Sequence, residues 1–290
     1  MKINFNYTDL KRRDLDKIIQ TIKDLDEPLV LSVANQKGGV GKTATVDNVG
    51  EILASLGLKT GLIDNDAQSS ITNLKYDITK IINEHLPEMS DVMLEEISLE
   101  DIKVKIKDNL YLFPTTLRLS ETELNLTNAT LRELILKKAI ESLDTKFDII
   151  LIDCPPSRGL LTVNALSASD YILIPVQSEY QALVSIQLLF TTIRKVQQAI
   201  NPNLKELGYV ITMATPTNHS DEIIEQVTSD EKADIIGLIN RGIAISDAGV
   251  ANMSSYEYDK TSTPGKQYYN LTLHMLKRIF DNLTENGGTK

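Results

Sequence analysis

A short segment with three glycines separates two apolar stretches near the start of the sequence, and this arrangement constrains the fold more than any other feature. The segment ANQKGGVGKTATV (34–46) follows the apolar run LVLSV and precedes a helical pattern from about Lys42 to Leu56, which Gly57 closes. A second apolar run, KTGLIDND, comes next. Strand, loop, helix and strand within about 35 residues form one βαβ unit, whose right-handed crossover makes the two strands parallel.

Three further apolar runs extend this unit into a sheet. FDIILID (147–153), DYILIPV (170–176) and ELGYVITM (206–213) have uncharged centres, as strands buried on both faces must have. The fold class is therefore α/β, a doubly wound, mostly parallel sheet flanked by helices. No linker divides the chain, so we expect a leader helix within residues 1–27 and a single domain at 28–290. Other predicted elements are helices at 10–26, 79–85, 90–95, 119–126, 129–143, 182–200 and 264–283, and a strand at 109–114.

The composition restricts the compartment and the partners. A net charge of −10 and an isoelectric point near 4.9 exclude a surface coated with basic groups, but a local patch such as Arg194, Lys195 and Lys205 remains open. No signal peptide and no uncharged stretch of roughly 18 residues is present, so we expect a cytoplasmic protein without a membrane anchor. A single cysteine and three scattered histidines offer no metal-ligand pattern, and we expect no transition metal.

The glycine-rich segment has the composition of a phosphate-binding loop. Gly38, Gly39 and Gly41 let the backbone turn its N–H groups inward, where these groups and the positive end of the following helix can hold a phosphate. In the common pattern G-x-x-x-x-G-K-[ST], Lys42 reaches the β- and γ-oxygens of a nucleoside triphosphate. The Thr43 hydroxyl would then be a Mg²⁺ ligand.

Two positions of this loop depart from the common pattern. The glycine that usually opens the loop is replaced by Gln36. An additional lysine, Lys37, directly precedes the glycines. The loop therefore offers a second cation five residues before Lys42, and the common pattern gives that cation no role.

Carboxylates follow two of the predicted strands. Phosphoryl transfer needs an acid beside the metal ion and a group that orients the attacking water. Asp153 stands at the carboxyl end of a strand, where ligands of open α/β sheets bind, and we expect it in the Mg²⁺ shell. Asp64 and Asp66 follow the first crossover, and Asp66 is the candidate for orienting water. ATP and Mg²⁺ are the expected cofactors.

These segments together resemble a known family. KGGVGKT (37–43), LIDNDAQSS (62–70) and FDIILIDCPPS (147–157) are similar to the deviant Walker A, Walker A′ and Walker B segments of ParA/Soj/MinD-type ATPases. PVQSEYQALVSIQLL (175–189), VITMATPTN (210–218) and INRGIAISDA (239–248) resemble the later ParA-type signatures in the same order. The resemblance implies a P-loop NTPase fold of the deviant Walker A type.

The resemblance also implies a switch ATPase that hydrolyses ATP to ADP and phosphate. In that family the ATP-bound protein is a face-to-face homodimer, and Lys37 would reach the phosphates held by the other subunit. Lys37, Lys42 and Asp66 are the implied catalytic residues, and Thr43, Asp66 and Asp153 the implied metal site. The implied nucleotide-binding residues are Lys37, Gly38, Gly39, Val40, Gly41, Lys42, Thr43, Ala44, and, beside the adenine, Met213 and Pro216.

For partners, the resemblance implies plasmid or chromosome segregation. The ATP dimer would bind DNA nonspecifically at the nucleoid, and a ParB-like centromere-binding protein would stimulate slow hydrolysis. One departure from the family pattern concerns DNA binding. The Soj-type pattern has a second arginine three residues after the first, whereas here Arg241 is followed at that spacing by Ala244. The candidate DNA-binding residues are Arg194, Lys195, Lys205, Lys266, Lys277 and Arg278.

Two other functions stay open at this point. In a MinD-like positioning ATPase, the segment LHMLKRIFDNL could lie on a membrane surface with its apolar stripe. A core-docking helix explains the same stripe. A metabolic ATP-using enzyme on this fold would need a pocket for a second substrate.

Overall fold

One eight-stranded sheet forms the centre of the computed structural model, which describes residues 10–177, 182–215 and 234–285. The strand order is β3-β4-β2-β5-β1-β6-β7-β8, and all neighbours are parallel except the antiparallel pair β3 and β4. This sheet confirms the predicted fold class. The strands are β1 (Leu29–Val33), β2 (Thr60–Asp64), β3 (Val104–Lys107), β4 (Leu110–Phe113), β5 (Ile149–Asp153), β6 (Tyr171–Gln177), β7 (Lys205–Ala214) and β8 (Ile235–Asn240).

Helices cover both faces of the sheet. The described α-helices are α1 (Arg12–Lys23), α2 (Lys42–Ser55), α3 (Ser70–Lys75), α4 (Ile78–Glu84), α5 (Met89–Met93), α6 (Arg118–Asn125), α7 (Ile135–Glu141), α8 (Leu160–Ala168), α9 (Ala182–Ala199), α10 (Ile243–Val250), α11 (Ser255–Tyr258) and α12 (Thr263–Glu285). Most of the predicted helices are present with shifted ends. Among the described residues, no helix combines the length and the apolar composition that crossing a bilayer requires.

Alternate residues of a central strand face opposite apolar clusters. Ile150 and Ile152 of β5 join a cluster with side chains of α5, α7, α8 and α9. Ile149 and Leu151 join the other cluster, which includes side chains of α1, α2 and α12. Because both faces are covered, these strands are continuous apolar runs rather than alternating ones, and this is why the sequence identified them as parallel strands.

The strand order reverses at β1, and this reversal positions the predicted site. β1 lies between β5 and β6. Asp153 at the end of β5 is in register with Val33 on β1 and with Asp64 on β2. Ligands of open α/β sheets bind outside the carboxyl ends of the strands at such a switch point. The glycine loop after β1 and the two acids therefore meet at one edge of the sheet.

The predicted helix at 129–143 is wrong over its first half. Ala129 is extended (φ −74°, ψ 145°), and Leu131 has a left-handed backbone (φ 53°). Neither conformation continues a right-handed helix. The helix α7 accordingly begins at Ile135 and ends at Glu141.

The leader helix α1 packs on the last helix of its own chain. Ile18 and Ile22 are each 1% exposed and join the apolar cluster that includes α12. The Lys17 ammonium group also lies 5.4 Å from the centre of the Phe280 ring. The division into a leader at 1–27 and a domain at 28–290 stays a prediction.

The apolar stripe of α12 is part of the core. Leu271, Met275, Leu276 and Ile279 are at most 1% exposed, and α12 packs on β8 and α2. A stripe buried in this way is not a free face for a membrane surface. The feature that favoured a MinD-like membrane association is therefore explained by core packing.

Candidate nucleotide-binding site

The glycine loop between β1 and α2 uses backbone conformations that other residues adopt with strain. Gly39 and Gly41 have φ angles of 72° and 83°, in the left-handed region that favours glycine. A Cβ atom added at Gly38 or Gly39 would meet no heavy atom within 4 Å, so this side of the loop is open. Gly41 is the residue before α2, and its conformation turns the chain into that helix. Open space beside glycines in this conformation is compatible with a phosphate held by the loop.

Side chains of β6 and β7 hold the loop through hydrogen bonds. The hydroxyl of Thr212 on β7 donates a hydrogen bond to the carbonyl of Val40 (2.8 Å). The amide of Gln177 at the end of β6 donates to the carbonyl of Gly39 (2.9 Å). Sequence analysis did not identify either residue. The available signal was a polar side chain near the end of each of two apolar strands, β6 and β7, which lie on one side of β1.

The side chain of Asn35 bridges the loop to the sheet. Its Oδ1 atom accepts a hydrogen bond from the backbone N–H of Lys37 (2.9 Å), and its Nδ2 atom donates to the carbonyl of Pro175 (2.7 Å). Asn35 is only 2% exposed. The start of the loop is therefore fixed, and the backbone of Lys37 is positioned before any ligand arrives.

Lys42 lies inside the loop and is nearly buried. It is 7% exposed, and its Nζ atom donates a hydrogen bond to the carbonyl of Lys37 (3.3 Å). Burial lowers the pKa of Lys42, while the negative charges of Asp153 and Asp66 oppose this effect. The ammonium group is thus surrounded by the phosphate loop on one side and by carboxylates on the other.

Asp153 and Thr43 form a buried pair at the base of the site. The Thr43 hydroxyl donates to Oδ2 of Asp153 (2.6 Å), and Oδ1 of Asp153 accepts no hydrogen bond from any described residue. Burial raises the pKa of Asp153 to about 7, and Asp66 adds to this effect, while Thr43 and Lys42 oppose it. An unpartnered buried carboxylate oxygen beside a hydroxyl suits a hard cation with oxygen ligands, so the residues present fit Mg²⁺.

The two acids at the end of β2 and just after it, Asp64 and Asp66, make different contacts. Asp64 is completely buried, and its Oδ2 atom accepts hydrogen bonds from the N–H (2.8 Å) and the hydroxyl (2.6 Å) of Thr72. Its carboxylate is thereby committed to holding the start of α3. Asp66 is half-buried in the loop before α3, and its Oδ1 atom accepts a bond from the N–H of Gln68 (3.0 Å). Its charge acts on both Lys42 and Asp153, so Asp66 belongs to the same site.

The remaining predicted residues surround the loop. Val40 is buried, and Lys37 and Ala44 are half-buried. Met213, the last residue but one of β7, has a left-handed backbone (φ 53°). The amide of Gln177 lies 2.9 Å from the sulfur of Met213, which brings this methionine next to the loop. Pro216 lies outside the described residues.

Comparisons with known proteins agree with this geometry. The family model described as AAA domain matches residues 29–206. The sporulation initiation inhibitor protein Soj of Bacillus subtilis is 36% identical over 248 residues, which are 83% of this chain and 96% of Soj. The chromosome partitioning protein ParA of Myxococcus xanthus is also 36% identical, over 86% of this chain and 88% of that protein.

Two solved structures carry nucleotides on the same fold. A plasmid partition protein of Borrelia burgdorferi bound to AMPPNP has a TM-score of 0.73 and 26% identity, covering 87% of this chain and 100% of that one. Cobyrinic acid a,c-diamide synthase of Mycobacterium smegmatis, with bound ADP and magnesium, has a TM-score of 0.72 and 31% identity over 91% and 97% of the two chains. This protein is accordingly an ATPase with ATP and Mg²⁺ as cofactors. The chain contains an AAA domain and belongs to the ParA/Soj family of partition ATPases.

Proposed function

We propose that this ATPase is a nucleotide-controlled switch for DNA segregation, with a plasmid as its cargo. ATP brings two copies together face to face, and the dimer binds DNA without sequence preference at the nucleoid. A ParB-like centromere-binding partner stimulates slow hydrolysis to ADP and phosphate, and the copies then separate. The similarity to the Soj, ParA and plasmid partition proteins supports this proposal.

Each residue of the site has a proposed role in hydrolysis. Lys42 and the loop N–H groups bind the phosphates, and Thr43 and Asp153 hold Mg²⁺, which neutralises charge on the phosphate oxygens. Asp66 orients the attacking water, and its half-exposed position beside Lys42 and Asp153 supports that role. Val40 and Ala44 line the phosphates, and Met213 with Pro216 borders the adenine.

The observation that carries the dimer proposal is the different placement of the two loop lysines. Lys42 is 7% exposed and already supplies the loop with its own cation. Lys37 is half-buried and precedes Gly38 and Gly39, which are exposed. Two nucleotides that face each other place negative charge at a two-fold interface, and a lysine donated from each side neutralises the partner's phosphate. The position of Lys37 directly before the exposed glycines supports this role.

The test compares Lys37→Ala with Lys80→Ala, which removes an exposed lysine from α4. We expect Lys37→Ala to bind a non-hydrolysable ATP analogue and stay monomeric, because the partner's phosphates lose their cation. Lys80→Ala should dimerise like the unmodified protein. Light scattering during size-exclusion chromatography measures the mass with and without the analogue. Normal dimerisation of Lys37→Ala would rule out the cross-subunit role.

A further inference from the structure

A cluster of charged side chains links α2 to three other elements. Asp47 and Glu51 lie one turn apart on α2, and Lys75 is the last residue of α3. The Nζ atom of Lys75 is 2.8 Å from Oδ1 of Asp47, 2.9 Å from Oε1 of Glu51 and 3.6 Å from Oε2 of Glu257 on α11. Lys107 of β3 pairs with Glu51 and, at 3.0 Å, with Glu257.

Lys75 is the inner cation of this cluster. Its side chain is 3% exposed, and those of Asp47 and Glu51 are 2% and 3% exposed. Taking such charges out of water is costly, and the cost is offset only when the partners stay in close contact. The three groups therefore keep a fixed geometry. Movement of α3 away from α2 would leave Asp47 buried without an ion-pair partner among the described residues, and Glu51 with Lys107 alone.

The two helices that Lys75 joins each adjoin a part of the proposed nucleotide site. α2 starts at Lys42 and Thr43, on the phosphate loop. α3 follows the loop that contains Asp66, and its other end is held by the bonds from Thr72 to Asp64. α3 is thus anchored to β2 at its first turn and to α2 at its last residue. The position of Asp66 relative to Thr43 depends on both anchors.

We propose that Lys75 is a positioning residue for hydrolysis, which holds the Asp66 loop against the phosphate loop by tying α3 to Asp47 and Glu51. This inference rests on the proposed role of Asp66 in orienting water. Lys75 itself does not line the phosphate loop, so its loss moves a catalytic group without removing a ligand of ATP. Small misplacements of reacting groups cost large factors in rate.

The matched control is the second cation of the same cluster. Lys107 contacts Glu51 and Glu257, as Lys75 does, but it lies on the edge strand β3 and its side chain is 38% exposed. It makes no ion pair with a described residue of α3. Lys107→Met therefore removes the same charge from the cluster and leaves the link between α2 and α3 in place.

The experiment measures single-turnover and steady-state ATP hydrolysis by both variants. We expect Lys75→Met to lower kcat by about tenfold or more, with KM for ATP within about threefold, because binding contacts are kept and orientation is lost. Lys107→Met should keep kcat within about twofold. Lys75→Arg, which can still join both carboxylates, should recover most of the rate. An unchanged kcat in Lys75→Met, or equal losses in Lys75→Met and Lys107→Met, would overturn the proposal.

A folding defect would obscure the first variant, since Lys75→Met leaves the buried Asp47 without its ion-pair partner and Glu51 with Lys107 alone. The triple variant Asp47→Asn/Glu51→Gln/Lys75→Met removes the charges together and should fold, which circular dichroism and ATP binding verify. It should show the same loss of kcat, and turnover at the unmodified rate would overturn the proposal. Asp66→Ala distinguishes a failure of the proposed role of Asp66 from a failure of the proposed role of Lys75. If that variant turns over normally, the proposed role of Asp66 fails, whereas loss in Asp66→Ala with normal rates in the Lys75 variants defeats only the positioning role.

Discussion

At the scale of single residues, burial shifts the ionisation of two groups that are proposed to bind ATP and Mg²⁺. It lowers the pKa of Lys42 and raises that of Asp153 to about 7. Both charged forms therefore lack part of their stabilisation in the free protein, and a bound phosphate or cation would supply it. Sequence patterns identified both residues, because each motif requires a given side chain at a given spacing. They could not give the ionisation, since this depends on burial and on the charge of Asp66, and both come from contacts between segments distant in sequence.

Burial also shifts the pKa of Asp47, and this shift should have a measurable effect on stability. Burial raises its pKa to about 6 from an ordinary 3.8; Lys75 opposes the shift, and Glu51 and Glu257 add to it. The folded protein keeps this proton at pH values where the unfolded chain has released it, so stability falls as pH rises through this window. Relative to Asp47→Asn, the free energy of unfolding of the unmodified protein should fall by about 2 kcal/mol between pH 4.5 and 7.

Urea denaturation at several pH values measures this difference. Asp47→Asn is the control for the unmodified protein, because an amide in the same place does not titrate. Lys75 stays protonated over the whole range, since its pKa is raised by the two acids on α2. If the two proteins show parallel pH profiles, the buried carboxyl does not titrate as its surroundings require.

At the scale of elements, the end of β7 acts as a support for the phosphate loop. The apolar run at 206–213 predicted this strand, which extends from Lys205 to Ala214. Its contact with the loop could not be predicted, because β7 and β1 are separated by β6 and are far apart in sequence. The Thr212 hydroxyl reaches Val40 across that gap, and the methyl group of Thr212 lies 3.6 Å from the position of a Cβ on Gly41.

Thr212→Val should therefore weaken both the fold and nucleotide binding. Valine fills the same space but leaves the buried carbonyl of Val40 without its donor, which should lower the free energy of unfolding by about 1–2 kcal/mol. The looser loop should also lower the affinity for ATP. Thr191→Val, on the exposed side of α9, is the matched control and should change stability by less than about 0.5 kcal/mol. Denaturation and ATP titration of both variants test this, and equal behaviour of the two would show that the support is dispensable.

The degree of burial of each element explains which elements could be predicted from the sequence. Central strands such as β5 and β6 are buried on both faces and leave a continuous apolar run. The edge strand β3 is only partly buried and was missed, as was α10, where Ala248 is the one buried residue. α3 was also missed, since six residues give too little periodicity to recognise. These short elements depend on tertiary contacts, which the sequence pattern does not contain.

At the scale of the whole molecule, the acidic character restricts how the proposed DNA binding could occur. With a net charge of −10, attraction has to come from a local patch. Lys277 and Arg278 are paired with Asp281 (2.6 Å) and Asp234 (2.7 Å), which reduces their attraction to phosphate. Arg194 and Lys195 are exposed on α9 and are therefore the stronger candidates. Two cations form a weak patch in one subunit, and dimerisation would double it.

Arg194→Ala/Lys195→Ala should accordingly lose ATP-dependent retention on arbitrary duplex DNA. Lys277→Ala/Arg278→Ala removes the same charge and should keep it. A dimer that places four such cations on phosphates should lose affinity with a slope of about −4 in log binding constant against log salt concentration. ADP should give little retention, and anionic vesicles, tested in parallel, distinguish DNA binding from attraction to any acidic surface. Equal retention with ADP and ATP would contradict the coupling to dimerisation, whereas an unchanged salt slope in Arg194→Ala/Lys195→Ala would place the DNA contact elsewhere on the molecule.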